Sequence, residues 1–425
     1  MRPVDDNINF FIGLDDTDHL DLGCTTENFH QFLNYLIEKI NCTIISRRLV
    51  RLWPFANRRT RGNAALSAVI KINICDEQKL YDASDDWFKL LLSNISSHPS
   101  SNFPASPVLI ISKSKFSEKI YWDTVKGHVD LNYRLDEIKK YESKVYAGKS
   151  YWGVIGASAA ISWVPSENHS YELIAWRKSS MIGKKRIIDI QTITDLDKNF
   201  PETYVNRDPT KNRGLIAPRT PCPVLYGIRS KSPEILEKAH KWLQSNDNVE
   251  KSSDYAVHCT NQLSDDHVTP SSGTVISKPL ISKGAHSSVK VIMDGKLNTL
   301  VAFSQGGSVN RLLRSLEPGD IISWTGLYSP SDLSIHLEKL SIFDAVPRIL
   351  SRPLCCNISM KSAGNNQHLR CTKCNSLSEK YWKGKTPIFS DIDMIDTWTE
   401  PSPSNRRHLS KPLDLGLPLL NNLIP

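Results

Sequence analysis

A short apolar run, Asn9-Phe10-Phe11-Ile12-Gly13-Leu14, leads straight into Asp15-Asp16-Thr17-Asp18. The run has the length and character of a buried strand. Three carboxylates must therefore be gathered at the end of a core element. They repel one another, and folding them together calls for a hard cation with oxygen ligands. Mg2+ bridging nucleotide phosphates answers that need. Gly23-Cys24-Thr25-Thr26 follows where a helix should start, because Phe29, Phe32, Leu33, Leu36 and Ile37 recur on one helical face between Thr26 and Lys39. Backbone N–H groups and hydroxyls at such a start suit phosphate oxygens. Acid, hydroxyl and helix start together make a phosphoryl-transfer arrangement without a Walker motif. On spacing alone, a solvated Asp-rich turn with Thr25 as helix cap is an equal reading.

The rest of the chain is long enough for several domains. Its 425 residues are 40% apolar and 23% charged, which excludes wholesale disorder. No uninterrupted apolar stretch approaches the roughly 20 residues of a membrane helix. Asp5 and Asp6 stand where a signal peptide would carry basic residues. A soluble cytoplasmic protein without a membrane partner is expected. Strands are predicted over 42–52, 64–74 and 171–176, the first of these pairing with the opening strand, and a helix over 233–243. From 272 to 343 the texture changes to short alternating strands at 273–278, 288–293, 299–303, 321–328 and 333–343. A helix-like piece, 309–316, lies after the third. Five strands with a helix in that place are the pattern of an OB-fold, and a five-stranded barrel of another kind is the alternative.

Cysteine usage is uneven. Cys24, Cys42, Cys75, Cys222 and Cys259 are scattered, whereas Cys355, Cys356, Cys371 and Cys374 crowd together. That points to a reduced compartment with one metal site, most simply Zn2+. Around the cluster, between 352 and 385, seven Lys or Arg accompany a single acid, Glu379. With a net charge of +8, this favours a polyanionic partner over a plainly solvated surface. Arg58-Arg59-Thr60-Arg61-Gly62-Asn63 suits phosphate or nucleic-acid backbone contact, and equally an exposed basic hairpin. Cys259-Thr260-Asn261-Gln262 with Asp265-Asp266-His267 suits a polar or cationic ligand, though a capped polar loop is the plainer reading.

Taken together these pieces resemble the archaeal tRNA(Ile) 2-agmatinylcytidine synthetases, the TiaS family. The resemblance is carried by Ile12-Gly13-Leu14-Asp15-Asp16-Thr17-Asp18 with Cys24-Thr25-Thr26, and by Arg48-Leu49-Val50-Arg51-Leu52 with Thr60-Arg61-Gly62-Asn63. It continues through Gly153-Val154-Ile155-Gly156-Ala157, Tyr171-Glu172-Leu173-Ile174-Ala175 and Pro223-Val224-Leu225-Tyr226-Gly227-Ile228-Arg229. Thr260-Asn261-Gln262 through Asp266-His267 follows, then Met360-Lys361-Ser362-Ala363-Gly364 with Arg370-Cys371-Thr372-Lys373-Cys374. Each piece is short, but their shared order over roughly 360 residues is specific.

The resemblance implies a multidomain α+β protein. A kinase-like α/β domain that binds ATP is expected over 1–145, a ferredoxin-like domain over 146–270, an OB-fold β-barrel over 271–345 and a C-terminal zinc ribbon over 350–400. Residues 401–425 are expected to form a flexible tail. It also implies a ligase forming a C–N bond. Such enzymes replace the C2 oxygen of the wobble cytidine with agmatine, in the isoleucine tRNA with anticodon CAU, so that AUA is decoded as isoleucine. The partner is then RNA and not DNA. ATP activates the oxygen and ends as AMP.

In this scheme Asp15, Asp16 and Asp18 hold Mg2+ on the phosphates, with Cys24, Thr25 and Thr26 beside them. Thr25 matches the threonine after which the family's kinase-like domain is named. Arg61 is the candidate for positive charge on the passing phosphoryl group. Agmatine is a dication and should meet carboxylates and carbonyl oxygens. Asp266, Asp208, Asn261 and Gln262 are the candidates. The family's ribbon usually carries two Cys-x-x-Cys pairs, and here Pro353 takes one of those positions while Cys355 is present instead. Either Cys355 and Cys356 both bind with Cys371 and Cys374, or three cysteines bind and His368 supplies the fourth ligand. A non-catalytic tRNA-binding protein, and an ATP-dependent tRNA modifier with another amine donor, stay open as alternatives.

Overall fold

The computed structural model describes residues 6–18, 23–59, 62–96, 104–167, 169–346, 352–365, 367–378 and 397–419. The chain forms two compact units. One comprises Met1–His267 with Arg406–Lys411, the other Val268–Asn405 with Pro412–Pro425.

The first unit begins with β1 (Asn7–Asp15), α1 (Thr25–Lys39), β2 (Cys42–Arg51), β3 (Ala64–Asn73) and α2 (Glu77–Ser96). Then come β4 (Val108–Ser112), α3 (Glu118–Lys126), α4 (Leu131–Ile138), β5 (Ser143–Ala147) and α5 (Val154–Ser162). The unit continues with β6 (Ser170–Arg177), α6 (Ile190–Asn199), a small ribbon of β7 (Arg207–Asp208) and β8 (Arg213–Gly214), β9 (Val224–Ser230), α7 (Pro233–Ser245) and β10 (Ser252–Thr260). Eight of these strands make one sheet in the order β5-β4-β1-β3-β2-β10-β6-β9. Its two halves join where β2 and β10 run parallel, with Arg48 opposite Cys259 and Leu49 opposite Thr260.

The expected pairing of β2 with β1 does not occur. β3 lies between them, antiparallel to both. The reason is the route of the chain: α1 carries it past a vacant strand position, and β3 then folds back from β2 to fill it.

Alternation decides which face each residue serves. Phe10, Ile12 and Leu14 of β1 point to one face and join Phe29, Phe32, Leu33 and Leu36 of α1 in the main core. Leu80, Ala83, Trp87, Phe88 and Leu91 of α2 complete it at helical spacing. On the other face, Val154, Ala157 and Ile161 of α5 pack with Val108 and Ile110 of β4. The short helix α5 is apolar nearly all round and almost wholly buried. A third core forms where α6 and α7 cover β6 and β9, around Leu173, Ile193, Leu225, Ile228 and Leu236.

Residues 406–411 are held in this unit rather than free. Leu263 N–H donates to His408 O at 3.0 Å and Asp265 N–H to Leu409 O at 2.9 Å. Lys411 N–H donates to Asp265 Oδ1 at 2.7 Å. Leu409 is 1% exposed and packs with Val50, Tyr121 and Trp163. A single leucine after a Pro- and Ser-rich stretch has no periodicity, so nothing in the sequence marks it as an anchor.

In the second unit, β11 (Ser271–Val275), β12 (Leu280–Ile281), β13 (Ser287–Met293), β14 (Lys296–Ala302), α8 (Ser308–Arg314), β15 (Ile321–Ser329) and β16 (Ser334–Asp344) follow one another. The order β11-β15-β16-β14-β13 closes through β13 pairing with β11, which makes a five-stranded barrel. Val289, Val291, Leu300, Leu313, Ile322, Trp324 and Leu340 fill it. Beyond it, among the described residues, are five two-residue strands: β17 (Leu354–Cys355), β18 (Ile358–Ser359), β19 (Lys361–Ser362), β20 (Leu369–Arg370) and β21 (Leu377–Ser378).

Gly13 is where β1 and α5 touch: a methyl there would collide with the carbonyl of Ala157. Gly13→Ala should destabilise the protein by about 1–3 kcal/mol through overpacking. Urea unfolding would read this, and an unchanged midpoint would show that α5 does not lean on β1.

Candidate active site

The acidic turn begins at the end of β1 and lies between the sheet and α1. Asp16 adopts φ +57°, a left-handed conformation that Asp tolerates better than most residues. Its carbonyl accepts from Ser106 N–H at 3.0 Å. Asp18 turns back onto the helix start, where Oδ1 accepts from Thr25 N–H at 2.5 Å and from Thr25 Oγ1 at 2.9 Å. Thr17 Oγ1 donates to Thr25 Oγ1 at 3.2 Å. The residue capping α1 is Cys24, which makes no side-chain cap bond, so Asp18 serves the first free N–H. Thr26 Oγ1 accepts from Trp176 Nε1 at 3.2 Å and lies 3.0 Å from Cys24 Sγ.

Two cavities meet at Thr25, Asn63 and Ala64. The first, about 340 Å³, is lined by Asp15 and Asp16 on one side and by Trp53, Arg58, His128 and Trp152 on the other. Burial pushes the Asp16 carboxyl up to about 7; Arg58 opposes this and Asp18 adds to it. Asp15 is raised well above the usual range, first by burial and then by its neighbour Asp16. Arg58 Nη2 is 3.8 Å from Asp16 Oδ2, and its guanidinium lies over the Trp152 ring at 5.5 Å. One arginine cannot balance two crowded carboxylates. An all-oxygen, under-neutralised donor set of this kind fits a hard divalent cation. Gly156 of α5 makes room for it, since a methyl there would run into the Asp15 carboxylate.

The second cavity, about 350 Å³, is lined by Asp18, Cys24, Thr25 and Thr26, and by Arg51, Glu172, Arg229 and His408. Glu172 of β6 is clasped from both sides: Arg229 Nη2 reaches Oε1 at 2.9 Å and Arg51 Nη2 reaches Oε2 at 3.3 Å. Burial alone would raise this carboxyl, but the Arg229 and Arg51 guanidiniums outweigh it and hold it below the usual carboxylate range. His408 comes from the 406–411 segment and keeps its ring open to the cavity.

Of the residues singled out from the sequence, Asp15, Asp16, Asp18, Cys24, Thr25 and Thr26 come together here. Arg61 lies outside the described residues. Arg58, from the same basic motif, faces Asp16. Asp266, Asn261, Gln262 and Asp208 are absent from the described lining of both cavities. Asn261 bridges the backbone of Arg51, accepting from its N–H at 2.7 Å and donating to its carbonyl at 2.9 Å. Gln262 Oε1 accepts from Arg51 Nε at 3.3 Å. Tyr121 OH donates to Asp266 Oδ2 at 2.5 Å. Asp208 is buried and accepts from Thr210 N–H and Oγ1. Asn261 and Gln262 thus hold Arg51 in place. Glu172, Arg229, His408 and the two tryptophans escaped the sequence reading as site residues. Glu172 and Arg229 sit inside the matched pieces, but nothing in their local spacing pairs them.

In the second unit, one ligand atom from each of Cys355, Cys356, Cys371 and Cys374 falls within 4.8 Å of the others. Cys355 Sγ is 3.5 Å from Cys374 Sγ and 4.0 Å from Cys356 Sγ. Adjacent thiols converge because Cys356 and Asn357 both turn left-handed, at φ +53° and +61°. His368 is not part of the group.

An acidic turn facing a threonine at a helix start, with an arginine across the cavity, is the layout of enzymes that handle a metal-bound phosphate. Comparison with known proteins narrows this. The family model of the TiaS TCKD domain matches residues 11–150 and that of the TiaS FLD domain matches residues 152–267. The tRNA 2-agmatinylcytidine synthetase TiaS of Methanocaldococcus jannaschii is 30% identical, over 96% of this chain and 99% of its own. That of Staphylothermus marinus is 31% identical, over 95% and 92%. Among solved structures, apo TiaS superposes with a TM-score of 0.77 at 26% identity, over 96% of this chain and 97% of that one. A complex of TiaS with tRNA and ATP superposes at 0.78, with the same identity and coverage. The chain belongs to the TiaS family.

The raised Asp16 carboxyl has a testable consequence. Its folded value near 7 lies above the unfolded value of about 3.9. The folded state therefore holds an extra proton between those values, and the group withdraws stability as pH rises from about 4 to 7. Asp16→Asn keeps a residue suited to φ > 0 and removes that term. Without Mg2+ it should match the parent near pH 4 and exceed it by on the order of 4 kcal/mol near pH 8. Thermal melts at the two pH values decide this: equal differences at both would mean that Asp16 is not strained by its surroundings.

Proposed function

We propose that this protein is an ATP-dependent ligase that conjugates agmatine to C2 of the wobble cytidine of the CAU-anticodon isoleucine tRNA. The observation that carries the reading is the meeting of the two cavities at Thr25. An acidic, tryptophan-walled cavity lies on one side and an arginine- and carboxylate-lined one on the other, in a chain that matches TiaS proteins nearly end to end. The AUA codon is then read as isoleucine.

A pyrimidine C2 oxygen is a poor leaving group until it is phosphorylated. Asp15 and Asp16 would hold Mg2+, which when bound spreads the charge of the ATP phosphates. Trp53 and Trp152 offer apolar faces for the adenosine, and Arg58 a cation beside the phosphates. Thr25, at the seam, meets the γ-phosphoryl group as it crosses toward the cytidine. Asp18 fixes the Thr25 hydroxyl through its hydrogen bond. Arg51 and Arg229 neutralise charge on the acceptor side. The agmatine amine then forms the C–N bond as the oxygen leaves with the phosphoryl group. Arg61 remains a candidate for a further cation at the seam, and Asp266 and Asp208 for contact with agmatine, with Asn261 and Gln262 acting through Arg51.

On the same reading, residues 1–145 and 146–270 are the kinase-like and ferredoxin-like parts of one sheet, 271–345 is an OB-fold and 350–400 a zinc ribbon. Zn–S bonds of about 2.3 Å in a tetrahedron separate sulfurs by about 3.8 Å, and the Cys355 distances of 3.5 and 4.0 Å bracket that value. The small core there, Met360, Leu369 and Cys371, supports a dependence on metal for folding. Cys355→Ser and Cys356→Ser should each lower zinc content measured by mass spectrometry, and His368→Ala should leave it whole. Full zinc in both serine variants would remove these two cysteines as ligands.

The reaction is tested by incubating the protein with Mg2+, labelled agmatine and the CAU-anticodon tRNA, with and without ATP, followed by nucleoside mass analysis. ATP-dependent agmatinylcytidine at the wobble position is expected. Asp16→Asn should reduce it by on the order of 100-fold or more, the scale of losing one preorganised charge at a reacting group. Tight binding of tRNA without incorporation would favour a binding protein or another amine.

A further inference from the structure

We infer that a basic cleft on the first unit, built from the turn 183–186 and the loop 214–221, seats the RNA backbone next to the nucleotide that enters the active site. The inference rests on the proposed tRNA substrate and assigns it a contact surface.

The cleft is about 470 Å³ and is lined by Lys184, Lys185, Arg186 and Arg219, with no carboxylate among the described residues that line it. Lys184, Lys185 and Arg219 are exposed. Their setting is not that of an ordinary solvated turn. Arg177, fully buried, forms a bidentate pair with buried Glu250, both bonds at 2.7 Å. The same guanidinium donates to the carbonyls of Lys184 at 2.8 Å and Lys185 at 3.5 Å. A buried ion pair thus braces the backbone under two exposed lysines. Taking such a pair out of water is costly and is weak evidence for stability alone. It does fix a surface that must present charge at set positions.

The opposite wall is fixed as firmly. Arg186 donates to the carbonyls of Pro218 at 2.8 Å, Cys222 at 2.8 Å and Val224 at 2.9 Å. It therefore acts as the brace of the loop, and Arg219 is the cation that the loop presents. Residues 217–220 line both this cleft and the cavity that contains Thr25, Glu172 and Arg229. One stretch of chain is thus the partition between them. A base drawn out of a single-stranded loop into the cavity leaves its flanking phosphates outside. Three cations immediately beyond the partition meet them there, as backbone contacts that position a strand without reading its sequence.

The test compares the full-length protein with Lys184→Ala/Lys185→Ala/Arg219→Ala. Truncating these side chains leaves every backbone bond to Arg177 and Arg186 in place, and a thermal melt confirms folding. Binding of the CAU-anticodon tRNA is measured by filter retention across a salt series. The triple variant should bind roughly 10- to 100-fold more weakly at low salt. Its slope of log affinity against log salt should be shallower by about two, three charges at about 0.7 each for single strands. For the pair variant Lys184→Ala/Lys185→Ala, whose side chains line the cleft and not the cavity, KM for ATP and agmatine should be unchanged, and kcat at saturating tRNA retained. Charge reversal at one position, Arg219→Glu, should weaken binding in the same direction should the triple variant fold poorly. Wild-type affinity and slope in these variants would overturn the cleft, as would a loss of kcat in the lysine-pair variant with tRNA affinity intact. A parent protein that binds tRNA but never modifies it tells against the reaction alone, and the same salt slopes still judge the cleft.

Discussion

The parallel pairing of β2 with β10 is the contact on which the site depends. It joins two α/β halves, each with its own core, into one eight-stranded sheet. Register follows from it. Arg51 ends β2 and is met by Asn261 and Gln262, which directly follow β10. β6 pairs with β10 and brings Glu172 alongside. β9 pairs with β6 and places Arg229 opposite Glu172. Three charged residues from distant stretches thereby meet at one point. A slip of one residue in the β2–β10 register would turn Arg51 to the other face and leave Glu172 buried with half its compensation.

The acidic turn shows the opposite arrangement. Glu172 has two arginines and is held ionised. Asp15 and Asp16 have a single arginine near them, Arg58 beside Asp16, and both carboxyls are raised. Both cases occur within one unit, so the difference is not a matter of general burial. A satisfied carboxylate supports the framework. An unsatisfied pair lining a cavity holds repulsion that a bound cation would relieve. Asp18 stands between the two cases, tied to Thr25 N–H and Oγ1 and so to the start of α1.

Much of the fold was legible from periodicity. The helical face of α1, the extent of β2 and β3, and the five barrel strands with their single helix fall close to where the pattern puts them. Strand order was not legible: the pairing of β1 with β3 depends on a crossover that no local spacing records. The site divides in the same way. Asp15, Asp16, Asp18 and Thr25 are close in sequence and announce themselves by mutual repulsion and a helix start. Glu172, Arg229 and His408 are each isolated charged or polar residues among apolar or irregular neighbours, and only tertiary structure pairs them. The amides at 261 and 262 suggest ligand contact in the sequence, yet in the structure they bond to Arg51 within the protein.

The charge content of the two cavities bears on what each can hold. The second contains Arg51, Arg219 and Arg229 against Glu172 and Asp18, with Glu172 already committed to Arg51 and Arg229. A dication gains little from a carboxylate so occupied, because each new bond must displace an existing one. An anionic nucleotide is better matched to these guanidiniums, and the cations of the neighbouring cleft extend the same sign of potential outward. The first cavity, with two under-neutralised carboxylates, is suited by its charge to a cation and, on the proposed reading, to the phosphates such a cation would carry. Among the described residues, Thr25 at the seam is the hydroxyl common to both environments. On the proposed reading, a phosphoryl group moving from the first to the second would pass from a site whose one arginine, Arg58, is outweighed by carboxylates to one that holds several guanidiniums in place. That gradient is a property of the folded chain and exists before any substrate arrives.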